Sequence, residues 1–225
     1  MNNLQSQINT WIFDLDNTLY SADSGIFQQV HDLMGKYVSS YLNIDIDEAK
    51  KIQREYYKKH GTTLRGMMDN HGVDPDHFLA AVHKLDYSIV GPNHQLNEEL
   101  KKLIGRKIIY TNANMQHVIS VLDRIELSNI FDEIYDIKSA NNVPKPEITP
   151  YEQIIKKYDL NPKSTAMFDD IAKNLVPAKN LGFTSIWIDA GYENFSDDIK
   201  SSKNFLDYTT TDLHLFLEKV NKGNI

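Results

Sequence analysis

The 225-residue chain contains no cysteine. This absence excludes disulfide bonds, thiolate metal sites and a cysteine nucleophile, and it agrees with a reducing compartment such as the cytosol. The sequence also lacks any apolar run close to the roughly 20 residues that a membrane-spanning helix needs, and residues 1–10 lack the apolar centre of a signal peptide. We therefore expect a cytoplasmic protein with no membrane partner.

Basic residues are neither abundant nor gathered into a stripe. The 24 lysines and arginines are outnumbered by 31 aspartates and glutamates, which gives a formal net charge of −7. We therefore expect no nucleic-acid polymer as a partner. A small phosphorylated substrate is compatible with this charge, because a bound cation reverses the local sign. The hydrophobic content of 41% is that of a folded globular protein, and the sequence leaves both a monomer and a homodimer open.

Hydrophobic patterning divides the chain into three parts. Residues 10–16 form a short apolar run without helical spacing, which predicts a buried strand. Residues 20–97 show helical spacing, with Asn43 and Gly61 as expected helix ends and Pro75 as an expected helix start. In the third part the pattern predicts strands at 107–111, 130–135, 165–169 and 184–189, and helices at 115–127, 150–158 and 171–181.

This alternation predicts the fold class. Strands that alternate with helices form a parallel sheet with helices on both faces. Joining the first strand to the third part makes the helical stretch an insertion. We therefore predict an α/β protein with a doubly wound parallel sheet formed by residues 1–19 and 98–225, and an inserted α-helical cap domain formed by residues 20–97.

Polar residues stand at the carboxyl ends of several predicted strands. Ligands of an open parallel sheet bind outside these ends. The positions carry Asp14 and Asp16 after the first strand, Thr111 and Asn112 at the second, Lys145 in a later loop, and Asp169 and Asp170 at the next strand. The predicted fold thus brings carboxylates, a hydroxyl and an ammonium group to one crevice.

Carboxylates gathered in one cleft repel one another and do not all stay ionised without a counter-charge. Mg²⁺ removes the repulsion, because it prefers carboxylate, water and phosphate oxygens as ligands. With a phosphate bound, one aspartate can attack phosphorus, a second can transfer protons, and the lysine and threonine can hold the phosphoryl oxygens. Taken singly, each residue has an ordinary alternative as a turn, a helix cap or a solvated lysine. Their joint order along the chain favours a catalytic site.

These residues resemble the motifs of the haloacid-dehalogenase-like (HAD) hydrolases. The motifs span roughly residues 10–190 and stand here as Asp14-Leu15-Asp16-Asn17-Thr18, Thr111-Asn112, Lys145-Pro146, and Asp169-Asp170 with Asn174. The resemblance implies a Rossmann-like core, Asp14 as nucleophile and Asp16 as general acid and base. It also implies catalysis and phosphate binding by Lys145, and phosphate binding by Thr111 and Asn112. Mg²⁺ would be held by Asp14, the main-chain carbonyl of Asp16, Asp169 and Asp170.

The same resemblance implies phosphatase chemistry, because the dehalogenase branch lacks an acid at the position of Asp16. A narrower resemblance is to the pyrimidine 5′-nucleotidase subgroup, through residues 110–117, 121–125 and 131–134 and through 57–66 and 83–87 of the helical part. It implies a nucleoside monophosphate such as UMP or CMP as substrate. Phosphoglycolate, sugar phosphates and flavin mononucleotide stay open as substrates. A phosphomutase and a HAD-fold binding protein without chemistry stay open as functions.

Residues 61–66 have the glycine spacing of a P-loop, but Met67 stands where that motif has lysine. We expect instead a cap loop in which Arg65 reaches a substrate phosphate or base, the alternative being a surface turn with a solvated arginine. His117 is expected on the surface of a helix, the alternative being that it orients the Thr111 loop. Tyr57 or Tyr87 is expected to face the substrate.

Overall fold

The computed structural model describes residues 3–191 and 205–225. A six-stranded parallel sheet lies at its centre, with the order β3-β2-β1-β4-β5-β6. Its strands are β1 (Thr10–Phe13), β2 (Arg106–Tyr110), β3 (Glu133–Tyr135), β4 (Thr165–Asp169), β5 (Thr184–Ile188) and β6 (Tyr208–Thr210). Every neighbouring pair is parallel. This is the strand order of a doubly wound sheet, and it confirms the predicted fold class.

Helices connect the strands and build a separate helical segment after β1. They are α1 (Leu4–Gln7), α2 (Ile26–Leu42), α3 (Ile46–His60), α4 (Thr63–His71), α5 (Pro75–Val82), α6 (His94–Lys102), α7 (Met115–Arg124), α8 (Ile148–Lys157), α9 (Ala172–Leu181) and α10 (Leu213–Asn221). Within the described residues, none of the helices combines the length and the apolar character that crossing a membrane requires.

Both faces of the sheet are covered, as the alternation along β1 shows. Trp11 and Phe13 point into one hydrophobic cluster, whereas Ile12 points into another. Successive side chains of a strand point to opposite faces, so a strand that is apolar at every position is one buried on both sides. All residues of β1 are buried, and β1 therefore forms the centre of the core.

The helical segment has a further hydrophobic cluster, which Ile137 joins from the part of the chain that follows β3. Val38, Ala49, Met67 and Phe78 are buried there, with contributions from α2, α3, α4 and α5. Its helix ends agree with the sequence signals: Asn43 and Gly61 end α2 and α3 with positive φ angles, and Pro75 opens α5. The division of the chain at residues 20 and 97 stays a prediction.

Some elements differ from the prediction. Residues 61–66 are not a loop throughout, because the Thr62 hydroxyl accepts a hydrogen bond from the Arg65 N–H at 3.1 Å and starts α4. Helices α6 and α10 and strand β6 were not predicted. Asn221 of α10 donates to the main-chain oxygen of Glu99 in α6 at 3.0 Å and to its carboxylate at 2.8 Å. The two helices thus depend on each other across a long stretch of sequence.

A first prediction concerns the turn that leads into β2. Gly105 has a φ of +102°, and a Cβ added there would lie 2.4 Å from the main-chain oxygen of Asn9. We expect Gly105→Ala to lower the free energy of unfolding by about 1–3 kcal/mol, measured by urea denaturation. Gly91→Ala is the matched control, because a Cβ at Gly91 meets nothing within 4 Å. Equal stability of the two variants would contradict this account of the turn.

Candidate active site

The register of the sheet places carboxylates of β1 and β4 side by side. Phe13 pairs with Phe168, so Asp14 and Asp169 follow at the same level. The main-chain N–H of Asp14 donates to the oxygen of Phe168 at 2.9 Å and extends the pairing by one residue. On one side of β1 the sheet continues through β2 and β3, and on the other side it continues through β4, β5 and β6. The direction in which strands are added therefore reverses between β1 and β4. Their carboxyl ends therefore form the topological switch point, where open α/β sheets bind ligands.

Lys145 joins the ends of three neighbouring strands. Its Nζ lies 2.7 Å from Asp14 Oδ1, 2.7 Å from Asp169 Oδ2 and 3.1 Å from the main-chain oxygen of Tyr110. The lysine is 2% exposed. Burial alone would lower the pKa of Lys145, but the two carboxylates raise it, so the side chain stays charged.

Asn112 holds the main chain of this lysine. Its Oδ1 accepts from the Lys145 N–H at 2.8 Å, and its Nδ2 donates to the Lys145 carbonyl oxygen at 3.4 Å. One side-chain amide thus forms hydrogen bonds with both main-chain polar groups of Lys145. Asn112 therefore fixes the main chain of Lys145, while its direct binding of substrate stays a prediction.

The carboxylates of Asp14, Asp169 and Asp170 form a buried cluster with ligand atoms within 4.8 Å of one another. Burial raises the pKa of Asp14 to about 7, although the Lys145 ammonium lowers it in part. Burial, followed by the charges of Asp14 and Asp169, raises the pKa of Asp170 well above its ordinary value. A divalent cation would relieve this crowding, and an all-oxygen donor set fits Mg²⁺.

Neighbouring side chains hold the cluster in place. Asn174 donates to Asp169 Oδ1 at 3.0 Å and is itself held through its main-chain oxygen by the Tyr151 hydroxyl at 2.7 Å. Asn17 donates to Asp170 Oδ2 at 3.4 Å. The Asn17 Oδ1 atom is buried without a hydrogen-bond partner among the described residues.

Asp16 lies outside this cluster and has different partners. Its Oδ1 accepts a hydrogen bond from the Tyr20 hydroxyl and pairs with His117 Nε2 at 2.7 Å. Burial would raise the pKa of Asp16, but His117 and the hydrogen bonds lower it below its ordinary value. The side chain of Asp16 is therefore separate from the carboxylates that could hold a metal, and the part of its main-chain carbonyl in such a site stays a prediction.

Thr111 and Arg65 have contacts of different kinds. Thr111 follows β2 and is 1% exposed, and its Oγ1 accepts from the Ala113 N–H at 3.0 Å. Arg65 lies on α4, where its Nε is 3.0 Å from a carboxylate oxygen of Asp69 one turn later. Gly61, four residues before Arg65, packs against the loop of Lys145. A role for Thr111 or Arg65 in substrate binding stays a prediction.

The expectation for His117 is wrong. Its side chain is 0% exposed and pairs with Asp16, because α7 turns the face of His117, Val118, Val121 and Leu122 towards the core. This spacing is the apolar stripe of an amphipathic helix, and it was the signal that pointed to a buried histidine. Tyr87 is half-buried, and its hydroxyl lies 2.9 Å from His117 Nδ1.

The geometry provides two carboxylates in distinct surroundings. Asp14 is held by a lysine within a carboxylate cluster, whereas Asp16 is held by a histidine and a tyrosine. Carboxylates whose surroundings differ in this way can divide the roles of nucleophile and proton-transfer group.

Curated relatives cover most of the chain. It is 26% identical over 190 residues to phosphate metabolism protein 8 of Saccharomyces cerevisiae, which covers 76% of this chain and 59% of the yeast protein, less than two thirds of its length. It is 23% identical over 223 residues to the glyceraldehyde 3-phosphate phosphatase of Methanocaldococcus jannaschii, which covers 93% of this chain and 95% of that protein.

The fold also has relatives among solved structures. The crystal structure of the HAD-hydrolase YfnB from Bacillus subtilis bound to magnesium is similar with a TM-score of 0.62 at 14% identity, covering 96% of this chain and 99% of that one. A family model described as haloacid dehalogenase-like hydrolase matches residues 11–188. The chain therefore belongs to the haloacid dehalogenase-like hydrolases.

Proposed function

We propose that this protein is a Mg²⁺-dependent phosphatase that hydrolyses small phosphomonoesters through an aspartyl-phosphate on Asp14. The observation that carries the proposal is the Lys145 ammonium, which bonds to Asp14 and Asp169 beside the carboxylate of Asp170. The yeast and archaeal relatives, whose names refer to phosphate metabolism and to a phosphatase, support the same reaction class.

The metal site would consist of Asp14, Asp169, Asp170 and the main-chain carbonyl of Asp16. When bound, Mg²⁺ would neutralise phosphate charge and fix the phosphoryl group for in-line attack. Lys145 and Thr111 would hold the phosphoryl oxygens as charge redistributes. Lys145 already lies in contact with Asp14, so the ammonium is placed where an anion must come to be attacked.

Asp14 and Asp16 divide the chemical steps. An oxygen of Asp14 attacks phosphorus, the bond between phosphorus and the leaving oxygen breaks, and Asp16 donates a proton to that oxygen. The negative phosphate raises the pKa of a neighbouring carboxyl, which favours the protonated form needed here. Asp16 then accepts a proton from water as the water attacks phosphorus, which frees phosphate and restores Asp14.

The substrate is proposed to be a pyrimidine nucleoside 5′-monophosphate such as UMP or CMP. The proposal rests on the resemblance of residues 57–66 and 83–87, with Arg65 and either Tyr57 or Tyr87 as substrate contacts. Phosphoglycolate and flavin mononucleotide are alternatives, and the archaeal relative favours a sugar phosphate as the second candidate. We place the protein in the cytoplasm as a monomer or homodimer.

A substrate panel tests this proposal. We expect phosphate release from UMP and CMP to exceed that from AMP, phosphoglycolate and sugar phosphates, and to stop when EDTA removes the metal. Preference for a sugar phosphate would replace the nucleotide assignment and retain the phosphatase. Transfer of phosphate within a sugar would indicate a mutase, and absence of turnover on every compound would indicate a binding protein.

The role of Asp14 gives a second prediction. Asp14→Asn should lower kcat by at least about 10³-fold, because an amide is a poor nucleophile towards phosphorus. Asp189→Asn is the matched control: Asp189 follows β5 at the same edge of the sheet but lies outside the carboxylate cluster of the described residues. Comparable losses in the two variants, with both folded by circular dichroism, would refute Asp14 as the nucleophile.

The crowded carboxylates predict how metal, pH and stability are linked. The folded-state pKa of Asp14, about 7, exceeds its ordinary value of 3.8. The stability contributed by its protonated form is thus fully present below about pH 4 and is lost as pH rises through about 7. Asp170, whose pKa is also raised, acts in the same direction. The metal-free protein should therefore lose stability across this window.

We expect Mg²⁺ to restore that stability, and to raise the unfolding temperature more at about pH 8 than at about pH 5. At about 100 times Kd the gain is about 2.7 kcal/mol, which corresponds to about 5–10 °C for a chain of this size. Calorimetry with Mg²⁺ and with EDTA measures the difference. Asp170→Asn should reduce the shift and Asp189→Asn should retain it. A shift of the same size at both pH values would speak against the buried carboxylates as ligands.

A further inference from the structure

Buried side chains outside the carboxylate cluster converge on one oxygen of Asp16. The Tyr20 hydroxyl and His117 Nε2 both bond to Asp16 Oδ1, the latter at 2.7 Å. Tyr20 and His117 are 5% and 0% exposed. Among the described residues, the hydrogen bonds to this carboxylate all end on Oδ1. The second oxygen is therefore left for a ligand.

The other side of the His117 ring is held as well. The Tyr87 hydroxyl lies 2.9 Å from His117 Nδ1. Burial raises the pKa of Tyr87 to about 12, so the hydroxyl keeps its proton and can donate. His117 Nε2 faces the acceptor-only carboxylate of Asp16 at 2.7 Å, so it is this nitrogen that donates to Asp16. A chain of contacts thus runs from Tyr87 through His117 to Asp16, and it holds the imidazole at both of its nitrogens.

His83 covers one face of the same ring. The imidazoles of His83 and His117 stack with centroids 4.5 Å apart and planes at 21°. Burial lowers the pKa of His83 to about 3, so the stacked ring is uncharged. His83 follows α5 of the helical segment and Tyr87 follows His83, whereas His117 lies on α7 beside the sheet. The stack and the Tyr87 bond thus connect the helical segment to the proton-transfer carboxylate.

We propose that His117 is a positioning residue that orients Asp16 for proton transfer, and that Tyr87 and His83 fix the His117 ring from the helical segment. The proposal rests on the phosphatase function proposed above. Its consequence is that Asp16 is aligned with the leaving oxygen only while the end of α5 is seated against α7. Docking of the helical segment, which is proposed to contact the substrate, is then coupled by direct contact to the orientation of the Asp16 carboxyl group.

Leaving-group dependence separates positioning of Asp16 from a loss of folding. Phenyl phosphate needs a proton on its leaving oxygen far more than p-nitrophenyl phosphate does, because p-nitrophenolate is a stable anion. His117→Leu should lower kcat/KM by about 10²-fold for phenyl phosphate, and by less than about tenfold for p-nitrophenyl phosphate. His117→Gln, whose amide N–H can reach Asp16, should recover most of the loss on phenyl phosphate.

The control and a milder variant complete the series. Val118→Ala removes a buried neighbour of His117 on the same helix and should affect both substrates equally. Tyr87→Phe removes one hydroxyl while the ring remains. Tyr87→Phe should also lose more kcat/KM on phenyl phosphate than on p-nitrophenyl phosphate, but by a smaller factor. It replaces His117→Leu in the test if that variant does not fold. Equal losses on the two substrates for His117→Leu or Tyr87→Phe would overturn the proposal.

A structural readout decides the question independently of turnover. Crystal structures of the wild type and of His117→Leu or Tyr87→Phe, without substrate, should show Asp16 turned away from its wild-type orientation in the variant. An unchanged Asp16 carboxylate would overturn the positioning role even if activity falls. Absence of hydrolysis by the wild type would instead overturn the proposed function, while these structures would still test what holds Asp16.

Discussion

An ammonium group buried between two carboxylates requires several distant parts of the chain to be in place together. A buried charge is costly unless it is paired and hydrogen-bonded, and Lys145 meets Asp14 and Asp169 at 2.7 Å each. These carboxylates are adjacent only because β1 and β4 are neighbours in a defined register. Asn112 holds the lysine main chain and Asn174 holds Asp169. The sheet, the loops and the helix therefore have to be in place together before the charge of Lys145 is paired.

The aspartates of the β1 loop show how one short segment supports different chemistry. Asp14 is surrounded by the lysine and by further carboxylates, whereas Asp16 turns to Tyr20 and His117. The pKa of Asp14 is raised and that of Asp16 is lowered. Two groups of the same type, two positions apart, are thus made unlike by what other elements bring to them. A nucleophile has to be ionised and a general acid has to be protonated, which is the reverse of these directions. In the proposed reaction a bound cation would lower the pKa of Asp14, and the negative phosphate would raise that of Asp16.

The parts of the site that sequence predicts are those that local signals and sheet topology determine. Strands β1 to β5 appear as short apolar runs, and parallel strands bring their carboxyl ends to one edge, so Asp14, Asp169 and Lys145 can be grouped in advance. The partner of His117 lies 101 positions away and that of Glu99 lies 122 positions away. Such pairings depend on three-dimensional packing, which explains why the buried histidine and helices α6 and α10 were missed. The sequence shows that His117 belongs to an apolar stripe, but it does not show that Asp16 is the partner of His117.

The hydrophobic cluster of α2 to α5, which Ile137 joins from the part of the chain that follows β3, has an evolutionary consequence. The chain leaves the sheet after β1 and returns at β2, its direct neighbour, so the pairing of Thr10 with Arg106 and of Phe13 with Ile109 places no demand on the residues between. Lineages can therefore reshape the intervening helices while the side chains at the strand ends stay where they are. The contacts of His83 and Tyr87 with His117 restrict that freedom, as does the packing of Ile137 among the helices. A recombination event that preserves the orientation of Asp16 therefore has to keep His83 and Tyr87 together with the strands of the sheet.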